Sequence, residues 1–235
     1  MRKRSLAVAG ISLVLCALCI AGLAGAAERR LPRVLLIGDS ICGYYKPYVV
    51  QFLKGRAEVV HGGHAADTRF GLAHIDRWLA KHKADVIHFN WGLHDLKKKG
   101  TQVPVEDYEK NLRELVRRMK ATNAKLVFAT TTPVGPRAAR RNSDVIRYNA
   151  AALKVMKAED VAVNDLYAVA FPIREKIQHT DHVHFKPYKG HPEPENDQEN
   201  GSKILAKAVA RSILKVLKGK ESAPHVPPRE TGSDV

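Results

Sequence analysis

Short apolar, β-branched runs alternate along this chain with longer segments of helical periodicity. Five runs have the character of buried strands, at residues 33–37, 57–60, 84–89, 124–129 and 161–164. Helical patterns lie at residues 45–53, 71–80, 105–121, 141–157 and 202–217. This alternation predicts an α/β fold, because parallel strands need crossover segments, and helices in those segments cover both faces of the sheet. At 235 residues the chain has room for one such domain.

The carboxyl ends of the predicted strands are where parallel α/β sheets bind ligands and carry reacting groups. In this chain the segments after those ends begin at Gly38, Val60, Asn90, Thr130 and Asn164. Candidate functional residues are therefore expected along these five connections. The segment 186–201 is rich in Pro, Gly, Asn and acidic residues, which predicts a surface loop.

The two ends of the chain differ from the domain between them. Residues 1–26 have a basic start, an apolar core and the small residues Ala24-Gly25-Ala26, which together predict a secretory signal. The alternative is an uncleaved membrane anchor, since the apolar stretch approaches membrane-spanning length. We expect cleavage, which leaves a domain at 27–218 that is exported to the periplasm or the medium without stable membrane insertion. The polar, Pro-containing segment 219–235 predicts a disordered tail.

The formal net charge of +15 falls to +12 when Arg2, Lys3 and Arg4 leave with the signal. A surplus of positive charge favours an anionic polymer such as an acidic polysaccharide as partner, although a solvated surface without a partner is equally typical. The sequence contains no basic stretch interleaved with aromatic residues and no recognised nucleic-acid motif. Nucleic acid is therefore not an expected partner.

Two segments far apart in the sequence carry the groups of nucleophilic catalysis. The first strand runs into Gly38-Asp39-Ser40, which would place a hydroxyl near a helix N-terminus, whose dipole favours a developing anion. Helix capping is an equally ordinary role for Asp39 and Ser40. After the last strand, Asp181 and His184 are three residues apart, so a turn can place the carboxylate against the ring. An Asp–His pair that faces a Ser activates the hydroxyl by removing its proton.

The same C-terminal segment allows a different chemistry. His179, His182 and His184 are three histidines within six residues, and closely spaced imidazoles can hold the ion of a metal-dependent hydrolase. No further ligand cluster is evident in the sequence, and the Ser motif explains more of it. We therefore expect no metal site.

Four short blocks resemble the signature of the SGNH, or GDSL-type, hydrolase family, across about residues 33–217. The blocks are Gly38-Asp39-Ser40, Gly63–Thr68, Gly92-Leu93-His94-Asp95 and Asp181-His182-Val183-His184. Each block is weak alone, but four in order at plausible spacings are specific. The resemblance implies a three-layer α/β/α, flavodoxin-like sandwich with a parallel sheet of about five strands. It also implies ester hydrolysis that needs neither a metal nor an organic cofactor.

The resemblance assigns roles to the first and last blocks. Ser40 would be the nucleophile, with its amide also in the oxyanion hole. His184 would be the general base and then the acid, and Asp181 would orient it and stabilise its cation. Attack on an ester carbonyl would give a tetrahedral oxyanion and then an acyl-enzyme that water cleaves.

The two middle blocks depart from the family pattern at the oxyanion positions. His94 stands where the family has Asn, and a neutral imidazole can still donate one hydrogen bond. Ala66 aligns with the family's Gly, and Gly63 is the alternative alignment. Asp39 joins this substrate-facing set, although a structural turn anchor is the more typical role for Asp39 and Asp67. Because one oxyanion donor is worth about 100- to 1000-fold in rate, its loss would either lower activity below the family norm or direct it at a different leaving group.

Other residues near the blocks have two interpretations each. His94 could instead bond to Asp95 as an ordinary loop histidine, and Trp91 could be a core aromatic or a sugar-stacking residue at the rim. Cys42 is expected to be a small buried hydrophobe rather than a nucleophile. The run Lys97-Lys98-Lys99 is typical of a solvated loop but could attract an anionic substrate.

The sequence as a whole favours an exported serine esterase. Its expected substrates are O-acyl groups, such as acetyl, on carbohydrate, or small esters, with lipid esters as the rival. The alternative is a catalytically weak or inactive protein of the same fold that binds a glycan or an anionic polymer. The departures at the oxyanion positions motivate this alternative, and the intact Ser40, Asp181 and His184 argue against it.

Overall fold

One five-stranded, all-parallel sheet lies at the centre of the computed structural model, which describes residues 30–97, 102–189 and 193–219. The strands are β1 (Arg33–Gly38), β2 (Glu58–His64), β3 (Val86–Phe89), β4 (Lys125–Ala129) and β5 (Ala162–Asn164). They lie in the order β2-β1-β3-β4-β5, and each neighbouring pair is parallel. The predicted signal at 1–26 and, apart from Gly219, the predicted tail at 219–235 lie outside the described residues.

Helices cover this sheet. They are α1 (Ser40–Phe52), α2 (Thr68–Lys81), α3 (Val105–Lys120), α4 (Asn142–Ala158), α5 (Leu166–Ala170), α6 (Arg174–Ile177) and α7 (Gly201–Lys218), with a 3₁₀ turn at Phe171–Ile173. α1 packs against α7, whereas α2 packs against α3 and α3 against α4. The predicted three-layer α/β/α sandwich is thus confirmed. Across the part of the chain that is described, every helix is too short or too polar to span a membrane.

Burial of the central strands follows from their position between two helical layers. Residues 34–37 of β1 and 86–89 of β3 are almost wholly buried, as expected for strands that are covered on both faces. On α3 one face is buried, and it consists of Tyr108, Leu112, Leu115, Val116 and Met119. This face repeats every three to four residues, which is why the helix could be predicted.

The direction of the chain connections reverses between β1 and β3. From β1 the chain passes outward to β2, and from β3 it passes outward in the other direction to β4. Doubly wound sheets bind ligands in the crevice that opens at such a point. Gly92 lies just past β3 with a φ of +145°, and a Cβ there would collide with the Thr131 hydroxyl. Only glycine therefore fits at position 92, beside the crevice.

Element boundaries near the crevice differ from the predicted ones. The sequence predicts the first helix at residues 45–53, but α1 begins at Ser40 because Asp39 caps it there. β2 continues past its predicted end as far as His64, so Gly63 lies in a strand. The short helices between β5 and the last block contain too few residues to show a period, so they were not predictable.

Candidate active site

Ser40 is the first residue of α1 and follows β1 almost directly. Asp39 caps this helix, because its Oδ1 accepts a 2.9 Å hydrogen bond from the backbone N–H of Ile41. The buried Asp39 carboxylate therefore anchors the turn into α1. Its Oδ1 is used for this helix cap and not for contact with a substrate. Gly38 allows the tight entry into the helix, since a Cβ there would lie 2.5 Å from the Cβ of Cys42. These contacts place the Ser40 hydroxyl at the positive end of the α1 dipole.

Two hydrogen bonds in series link this hydroxyl to a carboxylate. Ser40 Oγ lies 2.8 Å from His184 Nε2, and His184 Nδ1 lies 2.6 Å from Asp181 Oδ2. An ionised carboxylate can only accept, so we assign the ring proton to Nδ1, which leaves the Nε2 lone pair for the hydroxyl. The fold thus joins Ser40 to a ring 144 positions away, in the geometry in which an imidazole removes a hydroxyl proton.

The loop that carries Asp181 and His184 is held by backbone hydrogen bonds. Asp181 Oδ1 accepts from the N–H groups of Val183 at 3.0 Å and His184 at 2.9 Å. Burial opposes ionisation of Asp181, but these bonds and the His184 ring outweigh it and lower its pKa to about 2. The N–H of Gly135 donates to the His182 carbonyl at 2.7 Å and ties the loop to the segment after β4. Asp181 is therefore ionised and oriented at neutral pH.

An aromatic stack covers one face of the His184 ring. The Tyr188 ring lies parallel to it, with centroids 3.8 Å apart and 9° between the planes. Tyr44 of α1 packs against Tyr188 in turn, with centroids 4.7 Å apart. Because of this stack the imidazole is held in line between its two partners. The sequence carries no signal for Tyr188, since a loop residue four positions after His184 belongs to no periodic pattern.

The three histidines of the alternative metal site do not converge. Both ring nitrogens of His184 are occupied by hydrogen bonds to Ser40 and Asp181. The His182 ring packs against Gly135, where a Cβ would lie 2.5 Å from its Nδ1. Within the described residues, no three His, Cys, Asp or Glu side chains are grouped so that they could hold a metal ion. The geometry therefore gives the metal interpretation no support in this part of the chain.

The second block forms the end of β2 and the turn into α2. Ala66 has a φ of +44°, a left-handed conformation that costs a residue with a Cβ about 1 kcal/mol. It therefore adopts the backbone shape that its alignment with a glycine requires. Its N–H donates to His64 Nδ1 at 3.3 Å, and the N–H of Gly63 donates to His61 Nδ1 at 3.2 Å. The N–H groups of both candidate oxyanion donors, Ala66 and Gly63, are thus directed to neighbouring histidine rings.

His94 lies on the loop that follows β3. Burial lowers the pKa of its ring to about 4, against the opposing charge of Asp39, so the imidazole is neutral at pH 7. Its buried Nδ1 has no hydrogen-bond partner among the described residues. The ring meets that of His64 edge to face, with centroids 5.0 Å apart. A neutral ring has one N–H to donate, which is what a developing oxyanion requires.

The interpretation in which His94 bonds to Asp95 is wrong. Asp95 Oδ1 accepts instead from the backbone N–H of Thr68 at 2.9 Å and from its hydroxyl at 2.6 Å. Its Oδ2 is buried without a partner among the described residues. Burial raises the pKa of Asp95 to about 6, although the Thr68 bonds oppose this. Asp95 therefore ties the third block to the start of α2.

The other open interpretations are decided by burial. Trp91 is 1% exposed and its indole N–H donates to the Ala65 carbonyl at 3.1 Å, so it is a core residue. Cys42 is buried, and burial raises the pKa of its thiol to about 12, which confirms the predicted small hydrophobe. Lys97 is exposed, and the two lysines after it lie outside the described residues.

A charged residue that no sequence motif indicates lies beside this site. Arg140, between β4 and α4, donates from Nε to the carbonyl of Leu93 at 2.7 Å, and Leu93 directly precedes His94. The segment after Thr130 was expected to carry functional residues. Nothing in the sequence, however, distinguishes Arg140 from the other arginines of the run 137–141.

A hydroxyl, an imidazole and a carboxylate bonded in series at the carboxyl edge of a parallel α/β sheet are the arrangement of serine hydrolases. The model of the GDSL-like Lipase/Acylhydrolase family matches residues 36–194. The chain therefore belongs to the GDSL-like lipase/acylhydrolase family, and it is a hydrolase that acts on esters. The family resemblance of the four sequence blocks is thus confirmed.

Solved structures share this fold at low sequence identity. The acetyl xylan esterase AlAXEase is 16% identical, with a TM-score of 0.64 over 77% of this chain and 99% of its own. A lipase/acylhydrolase from Enterococcus faecalis is 18% identical, with a TM-score of 0.67 over 79% and 97%. The acetylxylan esterase Axe2 from Geobacillus stearothermophilus is 19% identical, with a TM-score of 0.60 over 77% and 94%. No curated protein matches the chain at a significant level.

Proposed function

We propose that this protein is an exported serine esterase that cleaves carboxylic esters through an acyl-enzyme. The observation that carries the proposal is a pair of hydrogen bonds in series. Ser40 Oγ lies 2.8 Å from His184 Nε2, and His184 Nδ1 lies 2.6 Å from Asp181 Oδ2. These three side chains supply a nucleophile, a base and a group that orients the base. Membership of an acylhydrolase family supports an ester as the bond that is cleaved.

In the proposed mechanism, acylation begins when Ser40 Oγ attacks the ester carbonyl carbon and His184 Nε2 takes the hydroxyl proton. The carbonyl electron pair moves to oxygen, and the ionised Asp181 stabilises the imidazolium. Collapse of the tetrahedral intermediate reforms the carbonyl and expels the alcohol, which receives the proton from Nε2. Water then attacks the acyl-enzyme in the same way, and the proton returns to Ser40 Oγ as the carboxylic acid leaves.

Two donors are proposed for the oxyanion of the intermediate. The first donor is the N–H of Ser40, which has no partner within α1 and lies at the positive end of this helix. The neutral His94 ring is the second donor, in the position that Asn occupies in the family pattern. Ala66 can add a third only if its N–H leaves His64, and the 3.3 Å length of that bond makes the exchange inexpensive.

Acetyl groups on carbohydrate are the proposed substrates, together with small model esters. Two of the structural neighbours are named as acetyl xylan esterases, which supports this class. The signal predicted at residues 1–26 supports export to where polysaccharides are met. N-terminal sequencing of protein recovered outside the producing cell tests this part of the proposal. Cleavage predicts a first residue at or near Ala27, and an intact Met1 would overturn it.

The catalytic part is tested by hydrolysis of p-nitrophenyl acetate and butyrate, with and without a chelator. We expect turnover that falls to background in Ser40→Ala and ignores the chelator. Ser143→Ala, which removes an exposed hydroxyl from α4, is the matched control and should retain full activity. Loss of turnover on chelation would favour a metal-dependent hydrolase instead.

The second candidate function is a binding protein for a glycan or an anionic polymer. The specific observation in its favour is that the N–H groups of Ala66 and Gly63 are both directed to histidine rings. Turnover no higher than in Ser40→Ala, across acetyl and butyryl esters and acetylated xylan, would favour it. Retention of the protein on a glycan array would then identify its ligand class.

A further inference from the structure

Arg140 carries a positive charge that forms no ion pair with any described residue, and it lies next to the proposed oxyanion site. The side chain is half-buried, and its Nε is fixed by the 2.7 Å bond to the Leu93 carbonyl. Nη1 and Nη2, the two terminal nitrogens, make no hydrogen bond and no ion pair with any described residue. The guanidinium is thus held by one edge, and its other donors are left for a ligand.

The acidic residues around Arg140 do not neutralise it. Asp39 is the acid whose charge acts on it, but Asp39 Oδ1 caps α1 and the two side chains form no ion pair. On its own segment, Asp144 is paired with Arg147 at 3.6 Å. Lys97 adds a second positive charge near His94. Burial of a charge that has no ion-pair partner among the described residues is costly, and it lowers the pKa of Arg140 against the opposing effect of Asp39.

We propose that Arg140 binds a carboxylate on the sugar that carries the ester, so that esters of uronic acids or similar anionic carbohydrates are preferred. This inference rests on the proposed esterase function and names its substrate class. An acetyl group has no charge, so the anion must belong to the alcohol part of the ester. The free edge of a guanidinium matches a carboxylate with two parallel hydrogen bonds, which a lysine cannot reproduce.

The test compares kcat/KM for three esters: methyl O-acetyl-glucuronoside, methyl O-acetyl-glucoside and p-nitrophenyl acetate. We expect the wild type to prefer the glucuronoside by about tenfold or more. In Arg140→Gln the value for the glucuronoside should fall by about 10- to 100-fold, mainly through KM, while the two neutral esters change by less than about threefold. Arg140→Lys should recover only part of the preference.

Arg137→Gln is the matched control, because Arg137 is an exposed arginine of the same connection, and it should behave as wild type. Equal losses on all three esters would overturn the proposal and show that Arg140 acts through Leu93 and His94. Absence of any preference in the wild type would overturn it as well.

Binding separates this proposal from the proposed esterase function. Methyl glucuronoside is titrated by calorimetry into Ser40→Ala and into Ser40→Ala with Arg140→Gln. Binding that needs Arg140 would support the anion site even if no ester is turned over. Equal binding by both variants, or none by either, would overturn the anion site while leaving Ser40-dependent hydrolysis intact.

Discussion

The two ends of the proposed active site differ in how far the protein completes them without a ligand. At the nucleophile end, Ser40 is bonded to His184 and His184 to Asp181, and both Asp181 oxygens have partners. At the oxyanion end, the buried Nδ1 of His94 has no hydrogen-bond partner among the described residues. The site is therefore complete where a proton is to be moved and incomplete where a charge is to be received.

This difference agrees with what each end is proposed to do. The base and the hydroxyl are both groups of the protein and can be bonded before the substrate arrives, whereas an oxyanion exists only during the reaction. Donors that receive it should therefore be oriented but unpaired beforehand. A buried polar atom without a partner costs about 1–3 kcal/mol, so a protein retains one only where the surrounding structure holds it. Substitutions at four residues would sharpen or break this comparison.

The largest effect is expected at the complete end, from Asp181→Asn. The amide oxygen can still accept from the backbone of Val183 and His184, but its NH₂ group would face His184 Nδ1. The ring proton would then move to Nε2, and the ring could no longer accept the Ser40 proton. We expect kcat for p-nitrophenyl acetate to fall by about 1,000- to 10,000-fold with KM little changed. Asp107→Asn, an exposed acid of α3, is the control, and a loss below tenfold for Asp181→Asn would contradict the assignment.

At the incomplete end, His94→Ala tests the proposed oxyanion donor. Removal of one donor is expected to lower kcat by about 100- to 1000-fold, and His94→Asn should recover much of the loss because an amide also donates. Because the pKa of His94 is about 4, the ratio of wild-type to variant activity should stay constant between pH 6 and 8. His82→Ala is the control. If His94→Ala kept wild-type kcat, this end of the site would have no such donor.

Asp95 should make stability depend on pH. Its folded pKa of about 6 lies above the ordinary value of 3.8, so the folded protein holds this proton more tightly. The contribution of protonated Asp95 to the free energy of unfolding is therefore fully present below about pH 4, and it is lost as the pH rises through about 6. A shift of about two units corresponds to about 2–3 kcal/mol. Urea unfolding at pH 4.5 and 7.5 should show a smaller decline for Asp95→Asn than for wild type, and equal declines would refute the assignment.

The smallest effect is expected from the stack on His184. Tyr188→Leu removes the parallel ring and should lower kcat by about tenfold, while Tyr188→Phe preserves the stack and should stay within about twofold of wild type. KM should change little in either variant, because Tyr188 is proposed to act through the imidazole. Phe171→Leu, which alters an exposed aromatic outside the site, is the control. Similar losses in Tyr188→Phe and Tyr188→Leu would show that the ring stack is not what matters.

Much of the fold and the main elements of the site were predictable. The five strands follow from short local runs of apolar residues, and the first and last blocks follow from motifs of three and four residues. The predicted turn anchors Asp39 and Asp67 are confirmed, since each caps the helix that follows it. The predicted bounds were too short at the start of α1 and at the end of β2. Asp39 caps α1 and extends it to Ser40, and pairing with β1 extends β2 to His64.

The sequence by itself determined the parallel α/β sandwich and singled out Ser40, Asp181 and His184 as candidate catalytic residues, because periodicity and short motifs are local properties. Only the tertiary structure decided that Tyr188 stacks on His184, that Asp95 bonds to Thr68 and not to His94, and that Trp91 is buried. It also decided that one arginine among several reaches the Leu93 carbonyl. These are contacts between loops on different strands, and their geometry depends on how the whole sheet arranges its carboxyl ends, which no local pattern encodes.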